Sequence, residues 1–526
     1  MSGLVLNYDK SVAVWLGRMK YSDVRYMPEL GLVWNPETFK VLGIIFSVNL
    51  DDVINLNYAT KLNGVKKILN FWSRRNLTPF GKITVVKTFA VSQLTYLFSN
   101  VPDPPGEFLK ELQKILFEFV WNKKPDKINR KTMCQSYEAG GMKMMDVKDF
   151  LSALKITWLK RALENNENRL YKIVHAFCPL IANINQRGGE FVHLLKERCT
   201  NPFWQDVFKH FKMFTEKCVP LSTQEFYSEC LFYNINICRE KKVLFMRQWV
   251  DNNITCIGNL IDMGGILSYE NFKVKYPNVN TNFIQYGGIV RSIRNYAQRL
   301  GITIEEHYYV VDVPVVWRHL TKGNSKYIYS CLIKKECSLK CIDKWMECTQ
   351  SEIDTKKVFQ QIMKTTSDTC LRWFQYRLIY RLLPTQRFLF LRKMSSSSTC
   401  TFCKLEEETL VHLFWDCNET QAFWNLFADW LHANFAHCSN LRLSKQLILF
   451  GFQTNVHTDK IIDLFILLAK YHIFTCKIKE STPNMRIFER IVKQRFVIER
   501  FNATLDNNTG KFNMLWRLYK PFFQET

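Results

Sequence analysis

Residues 371–417 read LRWFQYRLIYRLLPTQRFLFLRKMSSSSTCTFCKLEEETLVHLFWDC. Within this stretch, Cys400-x2-Cys403-x8-His412-x4-Cys417 has the short local spacing of a zinc knuckle. Three thiolates and one imidazole complete a tetrahedral Zn²⁺ coordination and leave no position for a substrate water. The spacing therefore predicts a structural zinc site. The alternative is three buried, reduced cysteines beside an unrelated histidine.

A basic, aromatic helix is predicted directly before these ligands. One predicted face is apolar and consists of Leu371, Phe374, Leu378 and Leu382. The opposite face carries Trp373, Arg377 and Tyr380. Arg377 and Arg381 form a like-charge i,i+4 pair, whose repulsion an anionic partner would relieve. Aromatic and arginine side chains together stack on bases and contact phosphates, although the same aromatics also pack on neighbouring helices.

Composition indicates a folded, anion-binding protein. The chain has 526 residues, of which 47% are hydrophobic and 14% aromatic, so we expect two to four globular domains. Its net charge of +24 predicts an acidic partner, either nucleic acid or an anionic membrane surface. The charge is clustered, with 14 basic and 5 acidic residues in 55–131. A solvated basic face without a partner is the alternative.

Cysteine usage and hydropathy predict an intracellular protein, nuclear or cytoplasmic. The 17 cysteines follow no regular framework, which favours a reducing compartment over disulfides. The N-terminal residues lack a basic region and a continuous apolar run, so we expect no signal peptide and no secretion. The apolar run from Ile461 contains Asp463 and Lys470 and is too short to cross a bilayer. We expect no membrane partner, and no small-molecule substrate is evident.

The periodicity of the chain predicts a mainly α fold. Residues 1–50 contain short β-rich runs, among them FKVLGIIFS. From residue 57 the period becomes helical, with a helix start at Thr78-Pro79 and a third helix over 107–121. These helices predict a compact three-helix bundle, and helices recur on both sides of the CCHC zinc knuckle. Five predicted regions follow: 1–54, 55–135, 136–365, 366–420 and 421–526.

In this order, the segments resemble the C-terminal half of a LINE-type non-LTR retrotransposon reverse transcriptase. SGLVLNYDKS with the following WLG is similar to the end of the palm, and FKVLGIIFS to the primer-grip hairpin. WSRRNLTPFGKITVVKTFAVSQLTY is similar to the thumb. FVWNKKPDKINRKTM, EAGGMKMMDVKDFLSALKITWLKR and TCLRWFQYRLIYRLLPTQRFLF with the CCHC element continue the pattern. The resemblance implies a palm remnant at 1–54, a thumb-like bundle at 55–135 and a helical linker at 136–365. A basic helix with the zinc element at 366–420 and a basic helical end at 421–526 would follow.

The resemblance implies RNA, or a DNA–RNA primer–template duplex, as the partner. Lys10 stands in the place of the palm lysine. The other residues expected to contact nucleic acid are Lys66, Lys67, Arg74, Arg75, Lys82, Lys87, Arg372, Trp373, Arg377, Tyr380, Arg381 and Arg387.

No catalytic residue is assigned from the sequence. Polymerase chemistry needs carboxylates that hold two Mg²⁺ ions, and the family supplies them from an aromatic-x-Asp-Asp turn before the segment that matches Lys10. Asp51-Asp52 follows the primer-grip-like hairpin and lacks the preceding aromatic residue. We therefore expect a non-catalytic nucleic-acid-binding fragment without catalytic palm or endonuclease, which uses Mg²⁺ only if an intact palm is supplied. The alternatives are a reverse transcriptase active with a palm in trans, and a zinc-stabilised protein-interaction scaffold.

Overall fold

The computed structural model describes most of the chain. The described residues are 7, 11–15, 17–19, 22, 24, 29, 32–34, 37–49, 52–165, 167–240, 242–262, 265–304, 314–333, 339–350, 352–452 and 459–524. Lys10 and Asp51 lie outside them. Within these residues the protein is mainly helical and its strands pair two by two, which confirms the predicted fold class.

The chain folds as two compact units, each assembled from three segments. The first comprises residues 1–72, 86–116 and 145–333, and the second comprises 73–85, 117–144 and 334–526. The five sequence-based regions remain a prediction.

The described strands are short and form two-stranded sheets. They are β1 (Val12–Ala13), β2 (Val33–Trp34), β3 (Thr38–Val41), β4 (Ile44–Ser47), β5 (Cys238–Arg239), β6 (Lys242–Val243), β7 (Ile261–Asp262) and β8 (Gly265–Ile266). β1 and β2 pair in parallel, whereas the other three pairs are antiparallel.

The hairpin predicted around residues 42–44 is present. Its two-residue turn has positive φ at Leu42 (49°) and Gly43 (86°), as a type I′ turn requires. The rings of Phe39 and Phe46 face each other across the strands with centroids 5.5 Å apart. The buried side chain of Asn57 accepts a hydrogen bond from the Ile45 N–H (3.0 Å) and donates one to the Ile45 carbonyl (2.6 Å), so the following helix is fixed to β4.

Helices run through residues 52–120, and they begin before residue 57, where the sequence pattern predicted the first one. They are α1 (Asp52–Tyr58), α2 (Lys61–Ser73), α3 (Pro79–Val85), α4 (Ser92–Asn100) and α5 (Gly106–Val120). The predicted helix start at Thr78-Pro79 is confirmed. The Thr78 hydroxyl accepts a hydrogen bond from the Gly81 N–H (3.4 Å). The helical path from α3 to α4 continues through a π-helical stretch, Val86–Val91, which the sequence pattern did not indicate.

Two apolar clusters lie within residues 145–333 of the first unit. The next helices along the chain are α6 (Arg130–Cys134), α7 (Val147–Leu163), α8 (Arg169–Phe177), α9 (Gly189–Arg198), α10 (Pro202–Thr215), α11 (Thr223–Tyr227), α12 (Arg247–Asp251), α13 (Tyr269–Lys275), α14 (Phe283–Leu300), α15 (Val315–Lys322) and α16 (Ser325–Leu332). One cluster joins α7–α10 with α15 and α16. The other joins α11–α14 around the fully buried Trp249.

The second unit is built around one apolar helix. Its helices after α6 are α17 (Lys340–Thr349), α18 (Thr355–Thr365), α19 (Thr369–Ile379), α20 (Gln386–Leu391), α21 (Asn418–Asn434), α22 (Lys445–Phe450), α23 (Asp459–Ile478), α24 (Met485–Leu505), α25 (Thr509–Trp516) and α26 (Lys520–Gln524). Every side chain from Ile461 to Lys470 is buried, so this part of α23 lies in the core of the unit.

The two charged residues between Ile461 and Lys470 have internal partners. Asp463 accepts a hydrogen bond from the Phe452 N–H (2.7 Å). The Lys470 ammonium group donates to Gln375 Oε1 (2.7 Å) and to the Leu449 carbonyl (3.2 Å). Among the described helices, none has both the length and the apolar character that a bilayer crossing demands.

Candidate metal centre

The four predicted ligands come together in the second unit. One donor atom from each of Cys400, Cys403, His412 and Cys417 lies within 4.8 Å of the others. Cys400 Sγ and Cys417 Sγ are 3.9 Å apart, and Cys403 Sγ is 3.4 Å from His412 Nε2. Tetrahedral Zn²⁺ with Zn–S bonds of about 2.3 Å requires ligand separations of about 3.8 Å. The donor set and its spacing therefore fit a four-coordinate, closed metal site.

A tight hairpin brings Cys400 and Cys403 to the same end of a loop. Its two arms are paired at Thr399 and Glu407, and the Cys400 N–H donates to the Glu406 carbonyl (2.7 Å). The Phe402 N–H lies 3.4 Å from Cys400 Sγ and donates to it. A backbone donor of this kind stabilises a thiolate, which is the form that binds metal.

A π-helical turn places His412 and Cys417 on the same side. His412–Asp416 is π-helical, and the Cys417 N–H donates to the His412 carbonyl (2.9 Å). Since a π-turn joins residues i and i+5, it brings together two ligands that an α-helix would point in different directions. Spacing predicted the ligand pair but not this turn.

Cys417 is favoured as a thiolate. It is the N-cap residue of α21, where the positive end of the helix dipole favours an anion. Its pKa is lowered to about 5, first because the Cys400 thiol donates a hydrogen bond to it and also because backbone N–H groups of Thr420 and Glu419 point at it. The pKa of Cys400 is raised, first by its hydrogen bond to Cys417. Cys417 therefore offers a thiolate at neutral pH, and a metal ion that bound the pair would displace the remaining proton of Cys400 to solvent.

The other ring nitrogen of His412 faces a carboxylate. Glu406 Oε2 lies 3.0 Å from His412 Nδ1, an ion-pair distance, although the angle is outside the hydrogen-bond range. With Nδ1 beside this carboxylate, Nε2 is the ring nitrogen that faces the other ligands. Glu406 is 71% exposed, whereas His412 is 6% exposed, so the Glu406 side chain is free to leave the ring.

Glu408 joins the metal loop to the surrounding helices, and sequence reasoning missed it. Its carboxylate is fully buried and accepts hydrogen bonds from the Thr401 N–H (2.8 Å), the Thr401 hydroxyl (2.7 Å) and the Gln386 N–H (2.7 Å). The ammonium group of Lys477, at the end of α23, lies 3.6 Å away. The sequence signal was an acidic run, Glu406-Glu407-Glu408, between the two ligand pairs.

The predicted basic helix is present as α19, but it ends earlier than its pattern suggested. Leu371, Phe374 and Leu378 are buried as predicted. The helix stops at Ile379, and Arg381 adopts a left-handed conformation with φ of 55°. The Leu382 N–H donates to the Arg377 carbonyl (2.8 Å), which completes a Schellman-type end. The expected apolar position of Leu382 and the helical Arg377/Arg381 pair are therefore wrong.

The aromatic side chains of this segment pack within the protein. Trp373 lies against Trp121 and Phe80, with ring centroids 6.1 Å and 6.5 Å away. The Tyr380 hydroxyl donates to the Gly140 carbonyl (2.7 Å). The intramolecular packing that the sequence left open as an alternative is thus what the structure contains.

The arginines of the segment also have intramolecular contacts. Arg372 donates to the carbonyls of Thr366 (2.6 Å) and Met363 (2.9 Å). The Arg381 guanidinium group lies 4.6 Å from the ring centroid of Trp345. These two side chains are partly buried, as is Arg377, whose guanidinium carbon lies 5.8 Å from the ring centroid of Trp373.

Exposed basic residues lie on and after α2. Lys66, Lys67, Arg74 and Arg75 are exposed, and Lys66 is 3.6 Å from Glu111. Lys87 is half-buried. Arg387, in the second unit, is exposed and forms an ion pair with Glu407 (2.6 Å).

Lys82 is buried, contrary to the expectation from its sequence position. It is 2% exposed, and its ammonium group donates to the Phe119 carbonyl (3.0 Å) and to the Asn122 side chain. Burial lowers its pKa. Its expected role as a phosphate contact is wrong for this conformation, because its donors are used inside the second unit.

The first unit contains a buried Ser–His–Asp chain that sequence reasoning also missed. Ser152 Oγ is 2.8 Å from His210 Nδ1, and His210 Nε2 is 2.7 Å from Asp103 Oδ2. Ser152 is fully buried and donates to the Lys148 carbonyl (2.8 Å). A nucleophile must reach its substrate, so this chain is structural and connects α7, α10 and the segment after α4.

Residues 338–424 match the family model described as zinc-binding in reverse transcriptase. The match contains all four ligands of the cluster, together with α19 and α20. This part of the chain is therefore a region associated with reverse transcriptases, and its Cys/His cluster can hold a metal ion.

Proposed function

We propose that this protein binds RNA, or an RNA–DNA primer–template, as the non-catalytic part of a LINE-type reverse transcriptase, and that a structural Zn²⁺ ion holds its C-terminal region together. The observation that carries the proposal is the closed Cys/His cluster within the segment that matches the reverse-transcriptase zinc-binding family. The net charge of +24 supports a polyanionic partner.

Zinc is assigned a structural role because the protein supplies all four donors. A catalytic zinc ion keeps an open position for water or substrate, whereas Cys400, Cys403, His412 and Cys417 fill a tetrahedral shell. When bound, the ion would join the hairpin to the N-terminus of α21. These residues would then hold a loop whose own apolar content is small.

Phosphate contacts are proposed for the exposed basic residues. Lys66, Lys67, Arg74 and Arg75 are accessible, and Lys87 is half-buried, so these side chains can approach a nucleic-acid backbone. Each phosphate contact releases a counterion. It adds about 0.9 to the magnitude of the slope of log K against log salt concentration for duplex binding, which we call the salt slope. Lys82 is excluded by its burial.

Primer extension distinguishes this proposal from an enzyme whose palm acts in trans. The assay uses labelled primer–template, deoxynucleotides and Mg²⁺, with the protein alone and mixed with a palm fragment of a related reverse transcriptase. We expect binding without extension in the first sample. Extension by the protein alone would contradict the non-catalytic assignment, and extension only in the mixture would favour the enzyme in trans.

A protein-interaction scaffold is the second candidate, and one surface favours it. Val497, Ile498, Phe501 and Leu505 on α24 are between 49% and 67% exposed. Large apolar side chains in a row on one helix face are typical of a docking site. RNA affinity that disappears near physiological salt would favour this candidate, since nonspecific attraction alone is lost there.

A further inference from the structure

Three aromatic side chains form a ring cluster at the surface of the first unit. Trp72, near the end of α2, contacts the other two members, Phe71 and Phe89. Its ring stacks on that of Phe89 with centroids 5.2 Å apart and an angle of 28° between the ring planes. It meets the Phe71 ring at 90°, with centroids 6.1 Å apart. Phe71 is 59% exposed and Phe89 is 46% exposed, so the ring cluster presents two aromatic rings to solvent.

The helical positions of the rings explain this exposure. On α2 the buried side chains are Val65 and Leu69, and Trp72 follows Leu69 by three positions, so it lies near the same side and is half-buried. Phe71 follows Leu69 by two positions and therefore projects away from the core. Phe89 projects from the π-helical stretch between α3 and α4. A contiguous group of exposed apolar side chains is typical of an interaction site, whereas single ones are common on any surface.

A cationic side chain lies beside the ring cluster. Lys67 is exposed and precedes Phe71 by four positions on α2, so the two side chains share one helix face, with Cβ atoms about 5–6 Å apart. Lys66 pairs with Glu111 (3.6 Å), whereas no carboxylate among the described residues pairs with Lys67. Residues 55–131, which contain the ring cluster, have 14 basic and 5 acidic side chains. This charge is complementary to a polyanion, and the exposed rings require that the polyanion also offer flat apolar faces.

We propose that unpaired bases of a single-stranded nucleic acid stack on the Phe71 and Phe89 rings, and that Lys67 contacts the adjoining phosphate. The choice of RNA as this strand rests on the proposed function. Every base has a π face, so stacking on an aromatic side chain tolerates any sequence. Bases inside a duplex are already stacked on one another and are not available to a protein ring. The ring cluster therefore selects an unpaired stretch, which phosphate contacts alone do not distinguish from a duplex.

Comparison of a single strand with a duplex tests the ring cluster. Fluorescence anisotropy gives the Kd of the full chain for a labelled single-stranded RNA and for a blunt RNA–DNA duplex of the same length. Phe71→Leu/Phe89→Leu keeps apolar side chains and removes both π faces, and circular dichroism confirms folding. The matched control, Phe283→Leu/Phe501→Leu, removes two rings that are 66% and 62% exposed elsewhere.

The Phe71/Phe89 variant should bind the single strand at least about tenfold more weakly than the wild type and the duplex equally well. The control should bind both probes like the wild type. An equal Kd for the single strand in the wild type and the Phe71/Phe89 variant would overturn the inference while RNA binding itself stands. Equal weakening for strand and duplex would also overturn it, because the rings would then only support the fold.

A second measurement changes the ligand instead of the protein. The same RNA is made with abasic residues, which keep every phosphate and remove the π faces, and a single-stranded DNA of the same sequence is measured in both forms. The wild type should bind the abasic strand at least about tenfold more weakly than the intact one. Equal affinity for the two forms overturns the inference. Base-dependent binding of the DNA strand by a protein that binds neither RNA nor the RNA–DNA duplex supports the ring cluster and contradicts the proposed function.

Discussion

The carboxylate of Glu408 lies 3.6 Å from the ammonium group of Lys477, and neither side chain is exposed beyond 6%. Lys477 also donates to the Pro384 carbonyl (2.7 Å). Glu408 belongs to the metal loop, and Lys477 is in the last turn of the core helix α23. The pair therefore connects the candidate metal centre to the core of the second unit.

Glu408→Gln should destabilise this unit strongly. The substitution leaves the Lys477 charge buried without its partner, which costs about 3 kcal/mol or more. The matched control is Glu407→Gln, because Glu407 pairs with Arg387 at the surface, with both side chains near half exposed. The control should change the free energy of unfolding by about 0.5 kcal/mol or less. Urea unfolding of the three proteins measures the difference, and equal stabilities for Glu408→Gln and the wild type would contradict a role for the pair.

Removing two ligands should abolish metal binding. For Cys400→Ala with Cys417→Ala, we expect the bound zinc to fall from about one ion per chain towards zero, because two donors cannot hold a structural zinc ion. Cys438→Ala is the control, since Cys438 is equally buried but outside the cluster. Elemental analysis of purified protein gives the stoichiometry. Zinc retained by the double variant would refute the site.

The buried Lys470 should make stability depend on pH. Burial lowers its pKa from 10.5 to about 7, partly opposed by the charge of Asp463. Between these values the unfolded chain binds the proton and the folded chain does not, so the free energy of unfolding should rise with pH by an amount on the order of 4 kcal/mol. Below pH 7 both states are protonated and this contribution is constant.

Comparison of two substitutions isolates this effect. The free energy of unfolding is measured with urea from pH 7 to 10. The difference in this free energy between the wild type and Lys470→Met should change with pH. Lys479 is exposed and follows α23, so the free energy of unfolding of Lys479→Met should vary with pH as that of the wild type does. A difference that stays constant for Lys470→Met would show that this lysine titrates normally.

Neutralising the exposed basic residues should change the salt dependence of duplex binding, and neutralising Lys82 should not. Replacement of Lys66, Lys67, Arg74 and Arg75 by Gln removes up to four phosphate contacts and should lower the salt slope by up to about 3.6. Lys82→Met removes one buried charge, so we expect reduced stability with an unchanged slope. Anisotropy with an RNA–DNA duplex measures the slopes. An unchanged slope for the fourfold variant would contradict the proposed contacts.

Features that depend on neighbours in sequence were predictable. The ligand spacing and the helix start at Pro79 are local patterns with a local physical cause, whereas the hairpin around Leu42-Gly43 was implied by the family resemblance. The two local patterns are fixed by residues within a few positions, so the sequence contains their whole signal.

Features that depend on distant partners were not predictable. Lys82 looks like a surface residue of a basic helix, but the carbonyl that it binds belongs to Phe119, 37 positions away. Lys470 similarly depends on Gln375, 95 positions away. Trp373 and Tyr380 have the pattern of an exposed aromatic face, and their packing partners Trp121 and Gly140 lie far upstream. Burial of a polar residue is a property of the assembled unit, which periodicity does not report.

RNA affinity with and without the metal centre is the most direct test of the proposed function. The apparent Kd for single-stranded RNA is measured at physiological salt with zinc-loaded wild-type protein and with Cys400→Ala/Cys417→Ala. If zinc holds the nucleic-acid-binding region together, the double variant should bind at least about tenfold more weakly, and Cys438→Ala should bind like the wild type. Equal RNA affinity for the zinc-loaded and zinc-free proteins would contradict the proposal.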